Sequence, residues 1–234
     1  MKFHRVLIKV SGEALAGEKK TGFDFDLIST VCEVLKKASE QGTQIGIVIG
    51  GGNFWRGVKD GAGKVERVNA DRMGMLATCM NCIAVCDVLR QLGAKARVMT
   101  AVDIMGVGER FDARRAIEYL EAGEIVLFAG GSGAPFFSTD TAAALRACEI
   151  HADAILLAKN IDGVYSADPR TNPDAVKFDS ISYAEVLARR LAVMDTAATA
   201  LAMENDLPVV VFALKDPENI LRVLNGEAVG TLVK

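Results

Sequence analysis

Lys9 and Arg56 are charged side chains whose positions in the sequence suit phosphate chemistry. Lys9 lies near the end of an apolar run, just before the turn Ser11-Gly12, and Arg56 follows the triplet Gly50-Gly51-Gly52. A lysine in a buried strand is costly unless it reaches an anion, and a guanidinium beside a glycine turn suits bidentate contact with phosphate oxygens. The sequence therefore predicts that both side chains bind phosphate. The alternatives are a Lys9 that reaches solvent from an edge strand and an Arg56 in a surface ion pair.

A glycine-rich segment, residues 128–141, lies between an apolar run and a run of helical character. The helix presents its positive end to this segment, where an anion is stabilised. Three glycines allow positive φ and can turn backbone N–H groups inward: Gly130, Gly131 and Gly133. Three residues could cap the helix: Ser138, Thr139 and Asp140. The segment therefore predicts a phosphate cradle.

A further polar loop, residues 159–169, follows another apolar run. Asp162-Gly163 is a turn signal, Tyr165 offers a flat face to a nucleotide base, and Asp168 is held extended by the proline after it. The loop therefore suits a nucleotide. The alternative is an ordinary surface loop with a packed tyrosine.

These loops are separated by strands and helices that alternate along the chain. The spacing of apolar residues predicts strands at 5–10, 44–49, 95–99, 124–128, 154–158, 207–212 and 229–233. Helices are predicted at 26–41, 69–92, 112–121, 142–150, 183–190 and 195–205, with another starting at Asp216-Pro217. Such alternation favours an α/β fold, a three-layer αβα sandwich with a mostly parallel central sheet. Ligands then bind at the C-terminal ends of the strands.

The predicted helix 69–92 carries two features with chemical potential. Asp71 near its start could cap the helix or accept hydrogen bonds from a sugar hydroxyl. Cys79, Cys82 and Cys86 fall on one helical face and could resemble a metal site. Cysteine is among the most buried residue types, so core packing is the preferred interpretation.

Composition indicates a globular chain without the basic surface that binds nucleic acid. The 234 residues carry a net charge of -3, whereas a nucleic-acid binder shows a basic domain or stripe. Neither an uncharged apolar run of about 18 residues nor a signal-peptide pattern is present, which predicts no membrane partner. Five cysteines, an odd number, fit a reducing compartment, so a cytoplasmic location is expected. The length allows one domain or two small lobes.

A site rich in phosphate ligands without an evident nucleophile favours phosphoryl transfer, which depends on positioning and charge stabilisation. The chain has two histidines, His4 and His151. A phosphate or carboxylate acceptor is already anionic near neutral pH and needs no general base. Neither a P-loop nor a dinucleotide-binding fingerprint occurs after the first strand. The residues alone leave the acceptor open.

Over essentially its whole length the chain resembles the amino-acid kinase family, and within it the bacterial uridylate (UMP) kinases. Lys-x-Ser-Gly from Lys9 and the Gly-Gly-Gly-Asn motif indicate the superfamily, whereas the Met-Gly-Met-Leu-Ala helix and Pro-Phe-Phe-x-Thr-Asp are specific to the uridylate enzymes. The motifs that carry the resemblance span residues 9–15, 49–53 with 56–57, 71–77, 133–140, 162–169 and 193–195.

The resemblance implies transfer of the γ-phosphoryl group of Mg²⁺-bound ATP to UMP, giving UDP and ADP in pyrimidine nucleotide biosynthesis. It implies a catalytic role for Lys9, Arg56 and Asp140, with Asp140 organising Lys9 and magnesium-linked waters, and assigns no direct metal ligand. The implied ATP-binding residues are Lys9, Val10, Ser11, Gly12, Gly52, Arg56, Lys159, Asn160, Tyr165 and Asp168. The implied UMP-binding residues are Gly51, Asp71, Ser132, Gly133, Ala134, Pro135, Phe136, Phe137, Ser138 and Thr139.

The same resemblance implies a homohexamer activated by GTP and inhibited by UTP. It implies an acceptor-binding lobe at about 1–150 and an ATP-binding lobe at about 151–234 of one domain. The GTP response is associated with the loop Gly17, Glu18, Lys19, Lys20, Thr21 and Gly22, where the extra charged residues depart from the shortest family versions. The donor loop, which begins at residues 158–162, reads Ala-Lys-Asn-Ile-Asp where many relatives have Ala-Thr-Lys-Val-Asp. This difference leaves the adenine contact open between Lys159 and Asn160.

Two rivals remain at this point. One is another acid kinase of the same fold. It is disfavoured because the acceptors of such kinases need no ribose ligand at Asp71, and because these kinases do not share the Pro-Phe-Phe segment. The other is a nucleotide- or oxyanion-binding storage protein without catalytic activity.

Overall fold

The computed structural model describes residues 2–56 and 63–234, and these form a layered α/β fold. The described strands, in chain order, are β1 Arg5–Val10, β2 Gln44–Ile49, β3 Ala96–Thr100, β4 Glu109–Arg110, β5 Ile125–Ala129, β6 Ala154–Lys159, β7 Val164–Tyr165, β8 Lys177–Phe178, β9 Ser180–Ile181, β10 Val209–Ala213 and β11 Thr231–Val233. The described helices are α1 Gly12–Leu15, α2 Phe25–Glu40, α3 Arg67–Gln91, α4 Ala113–Glu121, α5 Thr139–Glu149, α6 Tyr183–Ala188, α7 Thr196–Glu204 and α8 Asn219–Leu224, with a 3₁₀ turn at Gly17–Lys19.

Nine of these strands form one sheet in the order β4-β3-β5-β2-β1-β6-β10-β11-β9, and β7 pairs with β8 separately. Within the large sheet the pairing of β10 with β11 is antiparallel and the other described pairings are parallel. The predicted mostly parallel sheet is therefore confirmed. Its order also keeps β1 to β5 on one side and β6, β9, β10 and β11 on the other.

Helices cover both faces of the sheet because strand side chains alternate between two apolar cores. One core joins Val6 and Ile8 of β1 to apolar residues of α2, α3 and α8. The other joins Leu7 of β1 to apolar residues of α4, α5, α6 and α7. The predicted three-layer sandwich is thus confirmed, and β1 contributes to both cores.

The sequence pattern located the long elements well and the short ones poorly. Strands β1 and β2 have the predicted bounds, whereas α5 begins at Thr139, before the predicted start at Ala142. The Asp216 carboxylate accepts a hydrogen bond from the Glu218 N–H, and α8 begins only at Asn219. Strands β4, β7, β8 and β9 were not predicted because two residues carry no periodicity.

Helix α3 packs one face on the sheet and carries three cysteines there. Cys79, Cys82 and Cys86 are buried, which confirms the interpretation as core residues. Burial raises the pKa of each of these thiols. By length and composition alone α3 could also cross a membrane, but core helices pass the same test, and half of its most apolar window is buried in the fold.

Candidate functional site

The centre of the candidate site is an ion pair between Lys9 and Asp140. The Lys9 Nζ atom lies 2.8 Å from Asp140 Oδ1, and the two side chains are 11% and 18% exposed. Lys9 comes from β1, whose neighbours on either side are β2 and β6. Since β1 is a central strand, the alternative that Lys9 reaches solvent from an edge strand is wrong.

Asp140 is held in place by the start of α5. The Ser138 hydroxyl accepts hydrogen bonds from the backbone N–H groups of Asp140 and Thr141, so Ser138 is the residue that caps the helix. The glycines before it have φ of 79° at Gly130, 62° at Gly131 and 81° at Gly133, as predicted for the cradle. The cradle and the helix N-terminus therefore meet beside the Lys9–Asp140 pair.

Asp195 ties this helix start to the next helix on the same face of the sheet. Its carboxylate accepts hydrogen bonds from the Ser138 and Thr141 hydroxyls and from the Ala198 N–H in the first turn of α7. Burial opposes ionisation, yet these hydrogen bonds hold the pKa of Asp195 below its ordinary value. The carboxylate is thus ionised and fixed near neutral pH.

The turns after β1 and β2 touch each other closely. A Cβ atom at Gly12 would lie 2.2 Å from the Gly50 carbonyl oxygen, so only glycine fits there. The buried Asn81 side chain donates a 2.6 Å hydrogen bond to the same oxygen and exchanges hydrogen bonds with the Asn53 amide. The glycine triplet is therefore fixed from both sides. Val10 and Ser11 lie beside it at the end of β1.

Arg56 forms an ion pair with Glu13, 2.7 Å from Nη2 to Oε1, with both side chains 43% exposed. The predicted alternative of an exposed ion pair is thus present in this structure. Exposed pairs stabilise a fold by little, about 0–1 kcal/mol, so this contact does not prevent the guanidinium from binding an anion.

Asp71 lies inside α3, which begins at Arg67 with Glu66 as the preceding residue. The alternative that Asp71 caps this helix is therefore wrong. Its Oδ2 atom accepts hydrogen bonds of 2.8 Å from the Phe136 backbone N–H and from Arg67. Phe136 has a φ of 71° and its ring lies under the Arg67 guanidinium. Asp71 thus links α3 to the Pro-Phe-Phe turn.

Two clefts are lined by the residues that sequence reasoning selected. The smaller, about 260 Å³, brings together Gly51, Asp71, Ser132, Phe137, Ser138 and Thr139 with Gly52 and Arg56. Of the residues that the structure describes, the remaining members of the predicted UMP set lie in the same turn but outside this lining: Gly133, Ala134, Pro135 and Phe136.

The larger cleft, about 580 Å³, is lined by Lys159, Asn160, Tyr165 and Asp168. The Tyr165 hydroxyl donates to Asp162, and Asp168 pairs with Arg170 at 2.8 Å. Asp140 follows Thr139 of the smaller cleft and acts electrostatically on Lys159 of the larger one. The Lys9–Asp140 pair therefore lies where the two clefts approach each other.

Comparisons with known proteins show the family of this chain. The model of the amino acid kinase family matches residues 4–213. A curated protein named uridylate kinase, from Streptococcus thermophilus strain LMD-9, is 51% identical over 233 residues, which are 99% of this chain and 95% of the relative. The chain belongs to the amino acid kinase family, among the uridylate kinases.

Solved structures of that family have the same fold as this chain. The UMP kinase from Bacillus anthracis superimposes with a TM-score of 0.94 at 38% identity, covering 100% of this chain and 97% of that one. The UMP kinase from Ureaplasma parvum gives a TM-score of 0.93 at 35% identity, with 100% of both chains covered. The resemblance inferred from the motifs is therefore confirmed.

The loop at residues 17–22 contacts Asn53, the residue after the glycine triplet, and does not line either cleft. The Gly22 N–H donates to the Asn53 carbonyl, and the Asn53 amide donates back to the Gly22 carbonyl. Lys20 adopts a left-handed φ of 65°. Asn53 thus connects this loop to Asn81, which binds the Gly50 carbonyl oxygen.

Three charged residues at the site were not assigned a role from sequence. Glu13 pairs with Arg56, Arg67 pairs with Asp71, and Asp195 binds Ser138 and Thr141. Arg67 and Asp71 are four residues apart, a spacing that places them on one helical face and could have indicated the pair. The contacts of Asp195 join residues more than fifty positions apart and have no local signal.

We predict that Gly12→Ala destabilises the fold and weakens the site, because the added Cβ would overlap the Gly50 carbonyl and force the two turns apart. The expected loss in free energy of unfolding is about 1–3 kcal/mol, measured by urea denaturation. Gly74→Ala is the matched control, since its Cβ would meet only Trp55 at 3.8 Å, and helix propensity favours it by about 1 kcal/mol. Equal stabilities of the two variants would contradict the close approach.

Proposed function

We propose that this chain transfers the γ-phosphoryl group of ATP to UMP and forms UDP and ADP. The observation that carries the proposal is the Lys9–Asp140 ion pair, located where a smaller and a larger cleft approach each other. Phosphoryl transfer depends on positioning and on cations at the transferring group, which this arrangement supplies. The relatives are named uridylate kinase and UMP kinase, which makes UMP the acceptor to test first.

On this proposal the larger cleft holds the donor nucleotide. Tyr165 stacks on the base, and Lys159, Asn160 and Asp168 also contact the nucleotide. The turn Val10-Ser11-Gly12 directs its backbone to the phosphates, and Lys9 stabilises charge on the transferring group. Gly52 and Arg56 line the smaller cleft, so we infer that they reach the donor phosphates at the point of transfer.

The smaller cleft then holds UMP. Asp71 accepts hydrogen bonds from the ribose hydroxyls, and the segment 132–139 surrounds the nucleotide, with Phe136 and Phe137 shaping the pocket and Gly51 closing it. The phosphate of UMP is mostly a dianion near neutral pH, because its second pKa is about 6. The acceptor therefore needs no general base, in keeping with a site built from phosphate ligands.

Asp140 is suited to an indirect contact, through water, with the Mg²⁺ ion that ATP carries. Its Oδ1 atom is buried and makes ion-pair contact with Lys9, but the contact lacks hydrogen-bond geometry. Magnesium prefers carboxylate and phosphate oxygens and keeps several of its waters. Asp140 would orient such waters, and the bound ion would neutralise charge on the donor phosphates.

The proposed cellular setting and lobes follow from the same function. UMP phosphorylation is a step of pyrimidine nucleotide biosynthesis, and we propose that the protein carries it out in the cytoplasm. The strand order supports the two functional lobes, because the strands of residues 1–150 and of 151–234 occupy separate halves of the sheet. The first half would bind the acceptor and the second half ATP.

GTP activation and UTP inhibition are also proposed. Residues 17–22 would carry the GTP response, and the supporting contact is the pair of hydrogen bonds between Gly22 and Asn53. A change in this loop would thereby reach the glycine triplet that faces the substrates.

A coupled assay with Mg²⁺ and ATP, comparing UMP, CMP and N-acetylglutamate, tests the proposed reaction. We expect UDP formation with UMP and turnover at least about tenfold lower with the other acceptors, a difference of about 1.4 kcal/mol or more. Activity with N-acetylglutamate alone would assign the chain to another acid kinase, and ATP binding without turnover would identify a storage protein. Adding GTP or UTP to the same assay tests the effector proposal.

A homohexamer is the proposed assembly, and an exposed apolar stripe on α3 supports self-association. Met73, Leu76, Met80 and Ile83 are 40%, 53%, 44% and 43% exposed. Their offsets of three or four residues align them on one face of the helix, away from the face that packs on the sheet. Contiguous exposed apolar surface of this kind marks an interaction site.

We predict that the double variant Leu76→Glu/Met80→Glu lowers the assembly state, because a charge cannot be buried in an apolar interface. Sedimentation velocity measures the result. Met105→Glu is the control, since Met105 is 100% exposed and lies outside the stripe. A wild-type protein that sediments as a monomer, or a double variant with unchanged assembly, would contradict this role of the stripe.

A further inference from the structure

Lys159 lies on the same face of the sheet as Lys9. Side chains alternate along each strand, and Leu7 of β1 and Leu157 of β6 belong to the same apolar core. Lys9 follows Leu7 by two positions, as Lys159 follows Leu157. Because Lys9 is in register with Leu157, Lys159 is the next side chain on this face toward the C-terminal end of β6.

The two ammonium groups have different partners. Lys9 faces the Asp140 carboxylate, whereas Lys159 donates to the neutral carbonyl oxygen of Val193. Burial lowers the pKa of Lys159, while Asp140 raises it and Lys9 lowers it. Both lysines therefore share the field of one carboxylate, and the excess positive charge favours an incoming anion.

We propose that Lys159 binds a phosphate group of the donor nucleotide and does not bind adenine. This inference rests on the proposed function, in which ATP occupies the larger cleft that Lys159 lines. On donor binding the ammonium exchanges the Val193 carbonyl for a phosphate oxygen. The phosphate adds the attraction of opposite charges to the hydrogen bond, which the neutral carbonyl does not, so the exchange is favourable.

The neighbouring Asn160 is better suited to the base. It lies past the end of β6, is exposed, and lines the same cleft. Its side-chain amide both donates and accepts, as the edge of adenine requires, whereas an ammonium only donates. The ambiguity between Lys159 and Asn160 in the donor loop is thereby resolved into two contacts with different parts of ATP.

Lys159 would then act with Lys9 as a pair of cations on the donor phosphates. Val193 precedes Met194 and Asp195, and Asp195 binds the α5 start that carries Asp140. When the donor binds and Lys159 releases the Val193 carbonyl, the segment from Val193 to Asp195 would be freed. The pairing therefore couples the occupied donor cleft to the acceptor side of the site.

The experiment measures binding of ATP and of adenosine to wild type and to Lys159→Met by calorimetry in the presence of Mg²⁺. We expect Lys159→Met to weaken ATP binding by about 10- to 100-fold, the range for a lost hydrogen bond to a charged group, and to leave adenosine binding unchanged. Lys159→Arg should recover most of the ATP affinity. Lys95→Met, an exposed lysine at the opposite end of the strands, is the control.

Equal weakening of ATP and adenosine would overturn the inference, since it would mean an adenine contact or a general loss of structure. Unchanged ATP binding would overturn it as well. Melting temperatures of all variants show whether the fold is intact. Failure of the proposed function is detected separately, by the assay of UDP formation. If the wild type binds ATP but forms no UDP, the affinities for ATP and adenosine can still be compared.

Discussion

The partly buried ion pair of Lys9 and Asp140 is the interaction on which the rest of this structure depends. Removing either charge from water is costly, and a pair at this depth persists only if both partners are held in place. The central strand β1 holds Lys9 from both sides through its neighbours. Asp140 is held by the Ser138 cap, which Asp195 in turn fixes from the neighbouring helix. The fold thus stabilises a charge arrangement that suits a transferring phosphoryl group.

The parallel sheet explains why glycine-rich turns collect around this pair. Parallel strands end at one edge, so the turns after β1, β2, β5 and β6 are brought together by topology alone. Backbone must then approach backbone closely, and Gly12 against Gly50 shows how little space remains. Positive φ at Gly130, Gly131 and Gly133 shapes the cradle beside the smaller cleft. The cradle glycines thus have a conformational reason here, and Gly12 and Gly51 have a steric one.

Sequence reasoning predicted the sheet class, the long elements and the loops that carry chemistry, because periodicity and glycine clusters are local signals. It did not predict contacts between distant residues, such as Asp195 with Ser138, which only the folded chain brings together. It considered a capping role for Asp71, which is wrong because α3 begins earlier, at Arg67. It left Lys159 and Asn160 equivalent, since the end of β6 that separates their environments is visible only in the structure.

The central claim is that Lys9 stabilises the transferring group, and single-turnover formation of UDP at saturating ATP and UMP tests it most directly. Replacing Lys9 by methionine should slow this step by about 10²- to 10³-fold with UMP affinity retained. Because methionine leaves Asp140 unpaired, the double variant Lys9→Met/Asp140→Asn and melting temperatures accompany the measurement. A wild-type rate of UDP formation in a folded Lys9→Met protein would contradict the account.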